Sequence, residues 1–274
     1  MPVDARRLIR KMRGGAQAHL IEASDGNFYV VKFLNNPQHR RILVNEWIAA
    51  TFLGYLGLST PPVAMVRITP EFLETNSDTY VQLGSRKIPP EPGWHFGSRF
   101  PGDTLRLAVY DFLPDTLLEK IDNLNEFLGV LAFDKWIGNA DARQAIFFRA
   151  RVKSGERSQL GFVAQMIDNG FVFEGPNWRL SDSPLQGIYF RPLVYRAARS
   201  LADFEPWLER IRHFPEEVVD QAWKQLPQAW VGGDEEELER LLEMLLRRRS
   251  RVPDLIASCR SGRVDPFPEW GKRK

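Results

Sequence analysis

Apolar positions alternate with period two near the start of the chain and fall at helical spacing further on. "HLIEASDGNFYVV" carries Asp25-Gly26, a strong hairpin signal. Strands over Ala18–Ala23 and Phe28–Phe33 are therefore predicted to pair around it. Alternation in the second strand sets Tyr29, Val31 and Phe33 on one face and Phe28, Val30 and Lys32 on the other. "RRILVNEWIAATFLGYLGL" reads as a helix ending near Gly57, with Pro61-Pro62 beyond it. A second helix is expected through "LNEFLGVLAFDKWI", opened by a capping box between Asn123 and Glu126 and stopped at Gly138. A hairpin follows: "AIFFRARV", a turn at "KSGERS", and "QLGFVAQMIDNG", in which Phe162, Ala164, Met166 and Asp168 share a face.

Between these regions lies Thr75–Asp103, rich in Pro, Gly and polar residues, which reads as one long loop of the lid or insertion type. After Asp122 the pattern is mostly helical. We therefore expect an α+β protein of two lobes sharing a cleft: a small antiparallel sheet with one main helix over residues 1–112, and a mostly helical part over 113–274.

Composition narrows the function classes. The 274 residues are 43% hydrophobic, enough for a substantial core, and the formal net charge is only +2. That balance is no footprint for nucleic acid as a main partner. The opening "MPVDARRLIRKMRGG" has no apolar leader pattern, and no apolar run reaches membrane-spanning length, so a cytoplasmic protein is expected. Cys259 is the single cysteine, which rules out a disulfide framework and a thiolate metal cluster. No GxxxxGK[ST], HExxH or G-x-S-x-G stretch occurs. The run Arg247–Arg251 reads as the solvated end of a helix that begins with acids. His95 and Arg99 read as surface-loop residues, with phosphate or acceptor contact as the alternative, and the tryptophans as core packing.

Four charged positions remain. Lys32 is either an edge-strand charge that snorkels or a functional cation among apolar neighbours. Glu46 sits in an apolar helical stripe, so it needs a cationic partner unless the helix turns it to the stripe's edge; Lys32 is the nearest candidate in sequence. Asp141, in "GNADARQ", either caps a turn or does chemistry. Asp168 ends the return strand, 27 residues later in sequence but beside Asp141 in a hairpin. Two adjacent carboxylates repel unless a cation or a proton lies between them, and a divalent metal with oxygen ligands is the natural occupant. A turn at Gly14-Gly15-Ala16-Gln17 could bring its amides to a phosphate. Phosphoryl transfer from ATP uses a lysine on the phosphates, a glutamate holding it, an aspartate for the acceptor hydroxyl and one for Mg2+.

"GGAQAHL", "YVVKFLNN", "NEWIAATFLGYLGL", "FDKWIGNADARQAIFF" and "MIDNGFVF" together resemble the HipA-like kinases, of eukaryotic-protein-kinase-like fold. The resemblance spans roughly Arg13 to Phe173 and implies an ATP- and Mg2+-dependent kinase acting on serine or threonine hydroxyls of a protein or of the chain itself. It implies that Lys32 holds the phosphates, Glu46 holds Lys32, Asp141 is the base and Asp168 the chief metal ligand. Backbone groups from Val109 through Tyr110, Asp111, Phe112 and Leu113 would meet the adenine. Two positions depart from the pattern. Arg143 stands where such kinases carry histidine or lysine two residues after the base, and Ile146 stands where they carry a metal-binding asparagine. Gln144 is the substitute we expect at the metal or phosphate. The departures keep an ATP-binding pseudokinase as an alternative, and a small-molecule or lipid kinase on the same fold as a further one.

Overall fold

Strands β1 (Pro2–Lys11), β2 (His19–Ala23) and β3 (Phe28–Lys32) run antiparallel to one another, and helix α1 (Arg41–Tyr55) follows. The computed structural model describes residues 2–154, 157–262 and 264–272. β4 (Val63–Ile68) and the short helix α2 (Pro70–Thr75) come next, then a small hairpin, β5 (Val81–Leu83) and β6 (Arg86–Ile88), and β7 (Gly93–Arg99). The order β1-β2-β3-β7-β4 closes into a five-stranded barrel, sealed by parallel pairing of Pro2–Asp4 with Met65–Arg67. The N-terminal region is thus a barrel with one parallel seam, where the pattern suggested a small antiparallel sheet, and it carries a second, short helix.

β7 also corrects the reading of Thr75–Asp103 as a single loop. It pairs with β3 on one side and β4 on the other, at the centre of the barrel wall. Gly97 obscured it: glycine weakens a strand pattern, yet a Cβ there would stand 2.5 Å from Val66 Cγ2, so the barrel has room for nothing larger. His95, on β7, is buried rather than on a surface loop. Its Nδ1 accepts from the Leu34 amide at 2.9 Å and its Nε2 meets the Glu91 carbonyl at 3.0 Å. Burial, only partly opposed by that carbonyl, lowers its pKa to about 4, so it is a neutral structural group.

Tyr29, Val31 and Phe33 point into the barrel with Ile21, Ala64 and Val66, which leaves Val30 and Lys32 on the outer face. Helix α1 belongs to a different core. Its buried Leu43, Val44, Trp47, Phe52 and Leu53 pack with the C-terminal helices. Those are α3 (Asp115–Leu118), α4 (Glu126–Ile137), α5 (Trp207–Arg212), α6 (Glu216–Lys224), α7 (Gln228–Val231), α8 (Glu235–Arg248) and α9 (Val252–Ser258). Trp136 and Trp230 are fully buried in this second core.

A three-stranded sheet completes the fold: β8 (Val109–Tyr110), β9 (Gln144–Ser154) and β10 (Arg157–Ile167), in the order β10-β9-β8. The tip of the "KSGERS" turn, Gly155-Glu156, lies outside the described residues. Asn123 and Glu126 do not form the expected capping box. The Asn123 amide clamps Ala164 on β10 through two 2.8 Å bonds, and Glu126 accepts from the Ser59 amide at 2.7 Å. Arg248 likewise departs from the solvated helix end. It is buried, ion-paired to Asp182 at 2.6 Å and bonded to the Lys135 and Ser181 carbonyls, while Arg247 stays exposed.

Candidate active site

A cleft of about 1030 Å³ opens between the barrel's outer face and the β9–β10 hairpin. At its base Lys32 Nζ is ion-paired with Glu46 and donates to Asp168 Oδ1 at 2.8 Å. Lys32 and Glu46 are nearly enclosed, with side-chain exposures of 9% and 4%, so neither is tolerable without the other. Burial pulls the Lys32 pKa down, but the Glu46 and Asp168 carboxylates outweigh it and hold the ammonium above the ordinary lysine range.

Strand geometry sets the position of Asp168. β10 ends at Ile167, and Asp168 turns into the left-handed region at φ 57°, where aspartate is better tolerated than most residues. Ile167 pairs with Gln144, so Gln144 stands beside Asp168 and its Nε2 donates to Oδ2 at 3.1 Å. Burial works to raise the Asp168 pKa, but the Lys32 ammonium overcomes it and holds the carboxyl below its usual value.

Gly138 closes α4 in the left-handed conformation at φ 66°. Asn139 then folds inward, donating through Nδ2 to Asp134 Oδ1 at 3.0 Å and accepting from the Asp141 amide at 3.2 Å. With Asn139 buried as the bracket, Asp141 is left exposed at the cleft. Partial burial, then the charge of Asp168, raises the Asp141 pKa. Arg143 also turns inward. Its guanidinium forms a two-pronged ion pair with Asp134, at 2.8 Å through Nε, and bonds Ile167 O at 3.2 Å and Asn169 Oδ1 at 2.8 Å. It therefore points away from the cleft where a phosphate would lie.

Of the glycine turn, Gly14, Gly15 and Ala16 line the cleft. Gln17 does not: its side chain is tied to the Gln82 backbone by bonds of 2.7 and 2.8 Å. Of the connecting segment, Val109 and Asp111 line the cleft. Tyr110 and Phe112 are exposed, and Leu113 is buried with its carbonyl accepting from Arg191 at 2.6 Å. Ile146 contributes apolar lining to the cleft, as do Ala18, Val30 and Met166. These apolar positions were legible only as strand alternation.

Asn45, Asp134 and Asn169 went unnoticed in the sequence. Asn45, fully buried, donates to the carbonyls of Gly170, Val172 and Gly175 at 2.8, 3.1 and 2.9 Å and accepts from the Trp178 indole at 2.9 Å. The available signal was the one that singled out Glu46: a polar residue inside an apolar helix.

Among the described residues no three His, Cys, Asp or Glu side chains form a ready metal cage. The donor set nonetheless suits Mg2+, which binds through one or two carboxylates with phosphate oxygens and water completing its shell. Asp168 and Asp141 line one cleft with the Gln144 amide between strand and loop. No helix among the described residues is long and apolar enough to cross a membrane.

Residues 6–151 match the family model described as HipA-like kinase. No curated protein matches the chain. Among solved structures, the chain is similar to a crystal structure of the Golgi casein kinase, with a TM-score of 0.55 at 13% identity, covering 95% of this chain and 73% of that one. A crystal structure of the Golgi casein kinase with Mn/ADP bound gives a TM-score of 0.52 at 13% identity, covering 98% of this chain and 74% of that one. At such identity the likeness is one of fold: kinase-like, with mixed helices and strands.

Proposed function

The chain belongs to the HipA-like kinase family, and from that premise we propose that it transfers the γ-phosphoryl group of ATP, with Mg2+, to a serine or threonine hydroxyl of a protein or of itself. The observation that carries the reading is the doubly paired Lys32, held by Glu46 and Asp168 at the base of a cleft of nucleotide size. In this reading residues 1–112 and 113–274 are the two lobes flanking the nucleotide.

Gly14, Gly15 and Ala16 present their amides to the phosphates and Lys32 neutralises them, while Glu46 keeps the lysine aimed. The adenine lies against Val30, Ile146 and Met166, with the backbone at Val109–Asp111 along its edge. Asp168, with Gln144 beside it, would hold Mg2+, which would supply charge neutralisation on the ATP phosphates. Asp141 orients the acceptor hydroxyl and takes its proton as the oxygen attacks the γ-phosphorus and the bond to the β-γ bridging oxygen breaks, releasing ADP. That the similar Golgi casein kinase structure holds Mn and ADP supports a metal–nucleotide site here.

One observation favours a second reading. Ile146 contributes an apolar wall where a second metal-binding amide is expected, which suits a nucleotide-binding pseudokinase. Incubation with γ-labelled ATP and Mg2+, followed by intact-mass analysis, separates the two. A phosphate adduct on the wild type and none on Asp168→Asn supports transfer. No adduct, but thermal stabilisation by Mg-ATP, supports the pseudokinase. Absence of both would overturn each reading.

A further inference from the structure

Arg143 stands where the resemblance implies a histidine or lysine two residues after the base, yet its side chain is 1% exposed and paired to an Asp134 that is 0% exposed. A buried ion pair is costly to desolvate and gives weak net stability compared with apolar residues of the same volume. Its partners here are not scattered. Asp134 lies on α4 and brackets Asn139, whose side chain holds the Asp141 amide. Ile167, whose carbonyl accepts from Arg143 at 3.2 Å, is the residue before Asp168. Asn169, which accepts from Arg143 at 2.8 Å, is the residue after it and faces Glu46 Oε2 at 3.5 Å. One guanidinium therefore touches both chain neighbours of Asp168, and reaches the Asp141 loop through Asp134 and Asn139.

We propose that Arg143 is a positioning residue that sets the distance between the Asp141 loop and the Asp168 loop, and through Asn169 the seat of the Lys32–Glu46 pair. The planar fork suits this, because it holds the Asp134 carboxylate with two prongs and still has donors for a carbonyl and an amide. Lysine keeps the charge but has no fixed fork. A consequence is that no arginine at this position reaches the γ-phosphate, so charge neutralisation there rests on Lys32 and the metal. The inference rests on the kinase reading for its catalytic arm only.

The test compares the wild type with Arg143→Lys and Arg143→Gln by three readouts. First, amide hydrogen exchange without nucleotide is expected to rise together over residues 139–144 and 167–170, while α4 and α8 stay protected. Second, Mn2+ binding in the presence of ADP, followed by electron paramagnetic resonance, is expected to weaken about tenfold, the scale for losing a group that orients a ligand. Third, kcat is expected to fall about a hundredfold with KM for ATP within about threefold, as misplacement by about 1 Å does. Asp134→Asn should give the same pattern, and its combination with Arg143→Gln should add little. Unchanged exchange at both loops, or uniform loosening of the whole core with Mn2+ affinity and kcat retained, would overturn the proposal. If the wild type binds neither Mn2+ nor ADP, the kinase reading fails while the exchange arm still decides the positioning role.

Discussion

Lys32 Nζ and Asp168 Oδ1 are separated by 136 positions in the chain and by 2.8 Å in space. The contact joins the barrel's outer face to the end of β10 across the cleft, and Glu46 from α1 completes it. Three elements with separate packing requirements thus meet at one ammonium group.

Removing that ammonium should cost stability as well as activity. Lys32→Met leaves Glu46 buried without its cation, a situation worth about 3–5 kcal/mol. Chemical denaturation should register the loss. Lys32→Met combined with Glu46→Leu should recover most of it while phosphoryl transfer stays absent. A double variant as unstable as the single would show that the pair is not what holds this region.

Asp141→Asn is expected to lower transfer by about 10²–10⁴-fold, the range for a lost general base, with the melting temperature little changed. Asp168→Asn should abolish transfer, and Gln144→Ala should reduce it about tenfold with a raised Mg2+ requirement. Rates with labelled ATP across a Mg2+ series check all three. Full activity in Asp141→Asn would remove it from the base role.

Asp141 and Asp168 should titrate on opposite sides of the ordinary aspartate value of 3.8. For Asp168, depressed in the fold, the stabilisation is present above the unfolded value and lost as pH falls through the folded one. For Asp141, raised in the fold, the sign reverses: its ionisation costs stability as pH climbs through the interval between the two values. Because the base must be ionised to accept a proton, the acid limb of kcat/KM should lie above pH 3.8. Carboxyl carbon NMR resolves the two titrations, and Asp141 titrating below Asp168 would contradict the assignment of their environments.

Asn45→Leu removes the donors to three backbone carbonyls and the acceptor of the Trp178 indole. Buried groups left without partners cost about 1–3 kcal/mol each, so a loss of about 3 kcal/mol or more is expected, measured by denaturation. Retained stability would mean that water or neighbouring groups replace the amide.

Local patterning carried much of this structure. Asp25-Gly26 marked the first hairpin, the alternation of Tyr29, Val31 and Phe33 gave the barrel's interior, and the left-handed Gly138 ended α4 where the apolar run stopped. Glu46 stood out because a carboxylate in an apolar helix needs a reason. What stayed hidden depends on long-range pairing. Barrel closure joins residues 2–4 to 65–67, and no local pattern encodes a seam of that separation. β7 was masked by its own Gly97, a residue explained only by Val66 on the neighbouring strand. Arg143 was legible only as a departure from the expected histidine or lysine, because its inward direction is set by Asp134, a partner nine positions earlier on α4. Asn123 had capping spacing but found a better partner in the Ala164 backbone.

The closed barrel bears on how the chain meets other chains. An open sheet offers an unpaired row of amides and carbonyls to any extended peptide, and that row templates both partner strands and aggregation. Here the strand that carries Lys32, β3, lies between β2 and β7 with both edges occupied. A segment approaching Lys32 cannot pair with that strand by strand addition. It must be recognised through side chains and turns.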